Sequence, residues 1–373
     1  MTTVNPAADR SSDPPRALRL IDCDVHNTAR DNSVDVLPHL PAYYRKFGLR
    51  LPGGPATTSP IGVGRSDATP ARGGPPGSCP DTMREQLLDA FGIDYAILTG
   101  GGVLAIGVHG DGDYAAALAS AYNQWMLTWL DEDPRFYGSM FIAPQRPDLA
   151  AAEIRKHGGH PRIVQVMMTS ASRDPYGDRR YWPIYEAACE MGLPVAMHPG
   201  AECSGIANPF SAGYAASYLE WHSNLSQNFM AQLSSFVCRG VFNEFPQLKL
   251  VLVEGGIGWL PHLMWRLDKN WKSLRVSAPW LSEPPSHYII EHVRLTTQPI
   301  EEPEKPEHLL QIFEMVHAHK TVMFSSDYPH WDNDSPAHGL PKLPEDLARR
   351  IYVENARELY GLPETPAVAN AKD

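Results

Sequence analysis

The stretch LRLIDCDVHNT, residues 18–28, runs an apolar strand into two acids and a histidine. Asp22, Asp24 and His26 stand at alternate positions, and alternate side chains of a strand share one face. Three later apolar runs also end in such groups: VAMHPG in His198, VLVEGG in Glu254 and FSSDYPH in Asp327. Imidazole nitrogens and carboxylate oxygens together suit one divalent transition metal, zinc first, with manganese or iron as alternatives. Asp24, His26, His198 and Asp327 would hold that ion and leave a position open for water. The ion would lower the water's pKa towards neutrality and make it a nucleophile. Asp22 lies one layer deeper and reads as a structural hydrogen-bonding group. Each residue alone has a plainer reading: Asp–x–His is common, His198 could sit in the core, and Asp327 could cap a turn. Their joint placement at the ends of apolar runs favours the metal.

Such a site needs elements that bring distant segments together. Apolar runs at 18–28, 93–100, 136–144, 162–170, 193–200, 248–256, 292–299 and 321–330 read as strands. Helical patterns at 81–92, 111–133, 147–159, 179–192, 218–246, 257–274, 306–320 and 344–361 alternate with them. The strands are apolar on both faces, as buried parallel strands are. Eight such units predict a (β/α)8 TIM barrel, whose active site lies at the C-terminal ends of its strands. The domain is expected over residues 18–363, with tails at 1–17 and 364–373. Residues 51–80 are rich in Gly, Pro and Ser and lack periodicity. They read as an insertion after strand one: a lid over the site, an arm gripping a second subunit, or a floppy loop.

Bulk properties narrow the partners. The chain has 373 residues, 43% hydrophobic, which is enough for a large core. Its net charge of −11, from 32 Lys and Arg against 43 Asp and Glu, argues against nucleic acid. Cys23, Cys79, Cys189, Cys203 and Cys238 are scattered and odd in number, which fits reduced thiols in a cytoplasmic protein. The first residues lack a secretory signal, and no apolar run is long enough to cross a membrane. A small-molecule substrate and a homodimer are expected.

The motifs DCDVHNT, MHPG, SSDYPH and ENARELYGL, in this order from about Leu18 to Leu362, resemble those of the amidohydrolase-related metal-dependent barrels. The closer resemblance is to the branch with aminocarboxymuconate-semialdehyde decarboxylase and the aromatic-acid decarboxylases. It implies zinc or manganese held by Asp24, His26, His198 and Asp327, with Asp327 also accepting a proton as general base. One position departs from it. That branch carries a histidine where this chain has Glu254, and an unshifted carboxylate only accepts protons. Glu254 does acid chemistry only if burial raises its pKa; as an ordinary carboxylate it could act as general base, hold a basic substrate group or tie the barrel mouth to an Arg.

The catalytic candidates are therefore Asp327, Glu254 and His222, the last within YLEWHSNLSQ. The substrate-binding candidates are His330, Trp259 as a pocket wall, and Arg45 (with Arg50) as partner for a carboxylate. Cys203 has no activating neighbour in sequence. The leading expectation is a metal-dependent hydrolase of a small organic substrate. The alternative is a non-oxidative decarboxylase of an aromatic or enoic acid, and a non-catalytic binding barrel comes third.

Overall fold

The computed structural model describes residues 20–364. The expected tail at 1–17, and all but Glu364 of the one at 364–373, lie outside them. Eight parallel strands follow one another in a single sheet. They are β1 Leu20–Val25, β2 Ile93–Leu98, β3 Phe136–Phe141, β4 Ile163–Thr169, β5 Val195–His198, β6 Leu250–Leu252, β7 Val293–Thr296 and β8 Val322–Met323. The chain after β8 turns back onto β1. Cys23 N–H donates to the Phe324 carbonyl at 3.0 Å, His26 N–H to Tyr328 at 2.7 Å, and Asp327 N–H to Asp24 at 3.0 Å. This brings the sheet round into the expected (β/α)8 barrel.

The strands form where apolar runs can be buried on both faces. All seven residues of β4 are buried, Gln165 among them. Its amide is satisfied inside the barrel, donating to Ser139 Oγ at 2.8 Å and accepting from the Tyr360 hydroxyl at 2.9 Å. Helices pack outside. The longest, Gly112–Leu130, starts at Asp111, whose carboxylate accepts from the N–H groups of Asp113 and Tyr114, both at 3.1 Å. Among the described residues no helix is long and apolar enough to cross a membrane.

The structure departs from expectation in two helical regions. The span 218–246 is three helices, Tyr218–Ser223, Leu225–Cys238 and Val241–Glu244. Asn224 leaves helical geometry at φ −103° and ψ 1°. Gly240 turns left-handed at φ 75°, which glycine adopts without a Cβ penalty. A further helix, Pro285–His292, precedes β7 and opens on a proline at its first position.

Residues 51–80 hold only short 3₁₀ turns and are laid across the open end of β1 and β8. Thr28 N–H donates to Gly77 at 3.0 Å, Arg65 N–H to Pro329 at 2.8 Å, and Trp331 N–H to Val63 at 2.9 Å. Gly77 has φ +78°, and a Cβ there would collide with the His26 carbonyl.

The closing motif ENARELYGL also has a structural task. Buried Asn355 donates from Nδ2 to the carbonyls of Ala318 at 3.1 Å and Val322 at 2.7 Å. It pins the last helix to the start of β8. Asn355→Ala leaves both carbonyls without this donor and is expected to cost about 1–3 kcal/mol of stability. Chemical denaturation measures it; a loss below about 0.5 kcal/mol would show the bond to be dispensable.

Candidate metal centre and the cavity above it

The C-terminal mouth collects five buried side chains from the ends of four strands: Asp24 in β1 and His26 just after it, His198 in β5, Glu254 after β6 and Asp327 after β8. The two later acids have a backbone rare for residues with a side chain. Glu254 and Asp327 both have φ 59°. A left-handed non-glycine residue costs of order 1 kcal/mol or more, and such strain gathers at functional sites. Here it is held by neighbours: Glu254 N–H donates to Thr296 Oγ1 at 3.0 Å, and Asp327 N–H to the Asp24 carbonyl at 3.0 Å.

The side chains converge on one point. His26 Nε2 lies 2.8 Å from Asp327 Oδ1 and 3.6 Å from Asp24 Oδ1. His198 Nε2 lies 3.1 Å from Glu254 Oε2 and 3.4 Å from Asp24 Oδ2. Yet His26 Nε2, His198 Nε2, Asp24 Oδ2 and Asp327 Oδ1 are all buried and make no hydrogen bond of acceptable angle. Their outer atoms are satisfied. His26 Nδ1 faces the Gly100 carbonyl, and His198 Nδ1 the Pro199 carbonyl at 2.8 Å. A carbonyl partner fixes the proton on Nδ1 and leaves the Nε2 lone pair free. Thr99 Oγ1 donates to Asp24 Oδ1 at 2.5 Å, which leaves Oδ2 open. Asp24, His26, His198 and Glu254 each offer an atom within 4.8 Å of the others, and so do His26, Glu254, Asp327 and His330, a donor set that could hold a divalent cation.

The titration of the site follows from this crowding. Burial lowers the His26 pKa, but Asp24 and Asp327 outweigh it and push it up to about 9. Burial raises the Asp327 carboxyl, yet His330 and His26 hold it well below the usual carboxylate range. Glu254 goes the other way, raised well above that range by burial, then by Asp327 and Asp24. In the metal-free protein the two carboxyls at one mouth are thus driven apart.

Above the centre lies a cavity of about 360 Å³. His26, His198 and Glu254 form its polar floor, and Val63, Leu104, Tyr218 and Trp221 stand in its walls. His222 faces it too, with Nε2 3.9 Å from Glu254 Oε1 and 3.5 Å from Asp332 Oδ2. His330 Nδ1 donates to Asp327 Oδ2 at 2.9 Å, and its ring stacks on His26 with centroids 4.0 Å apart. Residues 51–80 contribute Thr57, Val63, Gly64, Pro75 and Pro76, so this segment walls the site.

Other candidates fall elsewhere. Trp259 is not a wall of this cavity, because its indole N–H is tied back to the carbonyls of Gly255 at 2.8 Å and Gly256 at 3.1 Å. Arg45 does not face it either; it donates to the carbonyls of Leu40 and Pro38, both at 2.7 Å. Arg50 donates to the Phe47 carbonyl at 3.0 Å. Cys203 packs in a side cluster with Phe210 and Trp221. Asp22 accepts from Ser326 N–H at 2.9 Å, as befits scaffold. Sequence reasoning missed Asp332, Tyr218 and Thr99. Asp332 had a signal, since it follows Asp327 and His330 in SSDYPHWD.

An eight-stranded parallel barrel with acids and histidines at its strand ends defines the class of metal-dependent barrel enzymes. The chain belongs to the amidohydrolase family, whose profile matches residues 21–362. That bears out the resemblance read from the motifs. One curated relative is 2-keto-4-carboxy-3-hexenedioate hydratase of a Sphingobium species, 22% identical over 185 residues, which cover 47% of this chain and 49% of that protein. The chain thus spans about half the length of the curated relative it matches. Two solved structures share the fold. The dihydroxybenzoic acid decarboxylase of Polaromonas sp. JS666, with bound manganese and 2-nitroresorcinol, has TM-score 0.64 and 20% identity, covering 92% of this chain and 97% of that one. The 5-carboxyvanillate decarboxylase of Novosphingobium aromaticivorans, with manganese and 4-hydroxy-3-methoxy-5-nitrobenzoic acid, has TM-score 0.66 and 20% identity, covering 92% and 96%.

The raised Glu254 pKa gives a stability prediction for metal-free protein. A group whose folded pKa is raised stabilises fully below its unfolded value, near 4.5, and that stability is lost as pH rises towards the folded value. Glu254→Gln removes this loss. The thermal midpoint of the variant relative to wild type is therefore expected to climb as pH rises above about 4.5. A flat difference would contradict the burial of an acid there.

Proposed function

We propose that the chain is a metal-dependent carboxy-lyase that releases carbon dioxide, without oxidation, from a small aromatic or enoic acid. The observation that carries this is geometric: Glu254 Oε2 lies 3.1 Å from His198 Nε2, beside the proposed ligands, on the floor of a cavity with apolar walls. Decarboxylation needs a proton delivered to the carbon that loses its carboxylate. Glu254 is placed to give it.

Asp24, His26, His198 and Asp327 are the proposed ligands. A divalent ion there, manganese or zinc, would supply a Lewis acid for the substrate carboxylate and a neighbouring oxygen. The chain's own groups do the rest. The apolar walls keep a ring or double bond over the floor and exclude water. As the carbon–carboxylate bond breaks, its electron pair stays on carbon and takes the proton from Glu254. Glu254 regains a proton through His222, which borders both it and Asp332. His330 steadies Asp327 and the His26 ring. In this proposal one catalytic domain spans 18–363, and the chain works as a cytoplasmic homodimer.

Decarboxylation moves ahead of hydrolysis, the leading expectation from sequence. Among the structural neighbours, manganese-bound structures are decarboxylases. Hydration of a double bond is the second reading, favoured by the match to a hydratase. It would use the same pair, with Asp327 as base and Glu254 as acid.

Metal-loaded protein incubated in ¹⁸O-water with hydroxybenzoic acids, their esters and enoic acids separates the three. The expected result is one carbon dioxide per product and no ¹⁸O in the organic product. Glu254→Gln is expected to lower kcat about 100-fold or more while metal content stays unchanged. Incorporated ¹⁸O without carbon dioxide would replace decarboxylation by hydrolysis or hydration.

A further inference from the structure

Beside the cavity over the cluster lies a second hollow of about 480 Å³. Tyr218 and His222 line both, so the two spaces border one another. Pro60, Ile61, Leu219 and Trp331 form its apolar sides. Ile61 is 68% exposed, Leu219 77% and Trp331 42%. Large apolar side chains gathered in water at the mouth of a polar site mark a surface that a ligand covers. They are held in place from three segments. Ser59 Oγ donates to the Gly62 carbonyl at 2.8 Å and fixes the turn that carries Ile61. Trp331 donates from N to Val63 at 2.9 Å and from Nε1 to the Tyr218 hydroxyl at 3.0 Å. Ser217 caps the short helix that carries Leu219, accepting from Glu220 N–H at 3.2 Å.

The side towards the cluster is different. Asp332 lines the inner cavity. Its carboxyl group disfavours a second anionic group on the substrate, once the first carboxylate sits on the ion. The outer hollow offers that remainder an apolar bed instead.

We propose that the substrates are monocarboxylic acids with an apolar aryl or alkyl extension, and that Ile61, Leu219 and Trp331 select that extension. This rests on the carboxy-lyase reading for the placement of the acid end. The hollow itself is independent of that chemistry.

The test uses full-length protein loaded with manganese and measures Kd by calorimetry. The probes are 2-hydroxybenzoate, its 4-phenyl and 5-phenyl derivatives, and 4-carboxy-2-hydroxybenzoate. At least one phenyl isomer is expected to bind about tenfold tighter than the parent, from burial of the added ring. The dicarboxylic probe is expected to bind more weakly than the parent. Leu219→Asp and Ile61→Asp, both at exposed positions, are each expected to bring the phenyl-to-parent ratio towards one. Phenyl isomers that bind no tighter than the parent overturn the proposal, as does an advantage that survives both substitutions. Tightest binding by the dicarboxylic probe overturns it too. Carbon dioxide release is scored separately. A phenyl preference without release from any acid removes the carboxy-lyase reading and keeps the hollow. Release from the parent without a phenyl preference removes the hollow and keeps the reading. No binding by any probe overturns both.

Discussion

Charge crowded without a partner governs this molecule. Asp24, Glu254 and Asp327 meet His26 and His198, all buried, at the floor of a cavity, and four of their inward atoms make no hydrogen bond. Burying such groups unpaired costs several kcal/mol, so a stable fold needs something to complete them. A divalent cation would supply that partner. Without it the same groups shift their protons: His26 upwards, Glu254 upwards and Asp327 downwards.

The barrel exists around that constraint in a concrete sense. Parallel strands bring residues 24, 198, 254 and 327 to one mouth although some 300 positions separate the first from the last. The surroundings then aim each group. Backbone carbonyls hold the outer nitrogens of both histidines, Thr99 occupies one oxygen of Asp24, and left-handed turns swing Glu254 and Asp327 into place. Stabilising interactions elsewhere, such as Asn355 at the closing seam, compensate for the strain stored at the mouth. The segment 51–80 adds a wall where a barrel alone would leave the site open.

Much of this was legible in the sequence because two periodicities coincide. Short runs apolar on both faces could only be buried parallel strands, and the polar residues that end them mark the catalytic rim. Glu254 stood out because it departs from the related branch, and burial beside Asp327 and Asp24 raises its pKa in the metal-free protein. The misreadings have local causes. Trp259 and Arg45 have types that suit a pocket, but nearby carbonyls satisfy their donors first. Gly240 was a helix-stop signal inside a long apolar pattern, and the pattern masked it. Asp332 and Tyr218 are brought to the cavity by loop and helix placement, which no periodicity encodes.

The central claim is that this cluster is a site for one divalent cation. Titration of chelator-treated protein with Mn²⁺, followed by electron paramagnetic resonance, tests it directly. The account predicts one tightly bound ion per chain, accompanied by proton release, and loss of that site in both His26→Ala and His198→Ala. An absence of saturable binding, or binding left intact by both substitutions, would contradict it.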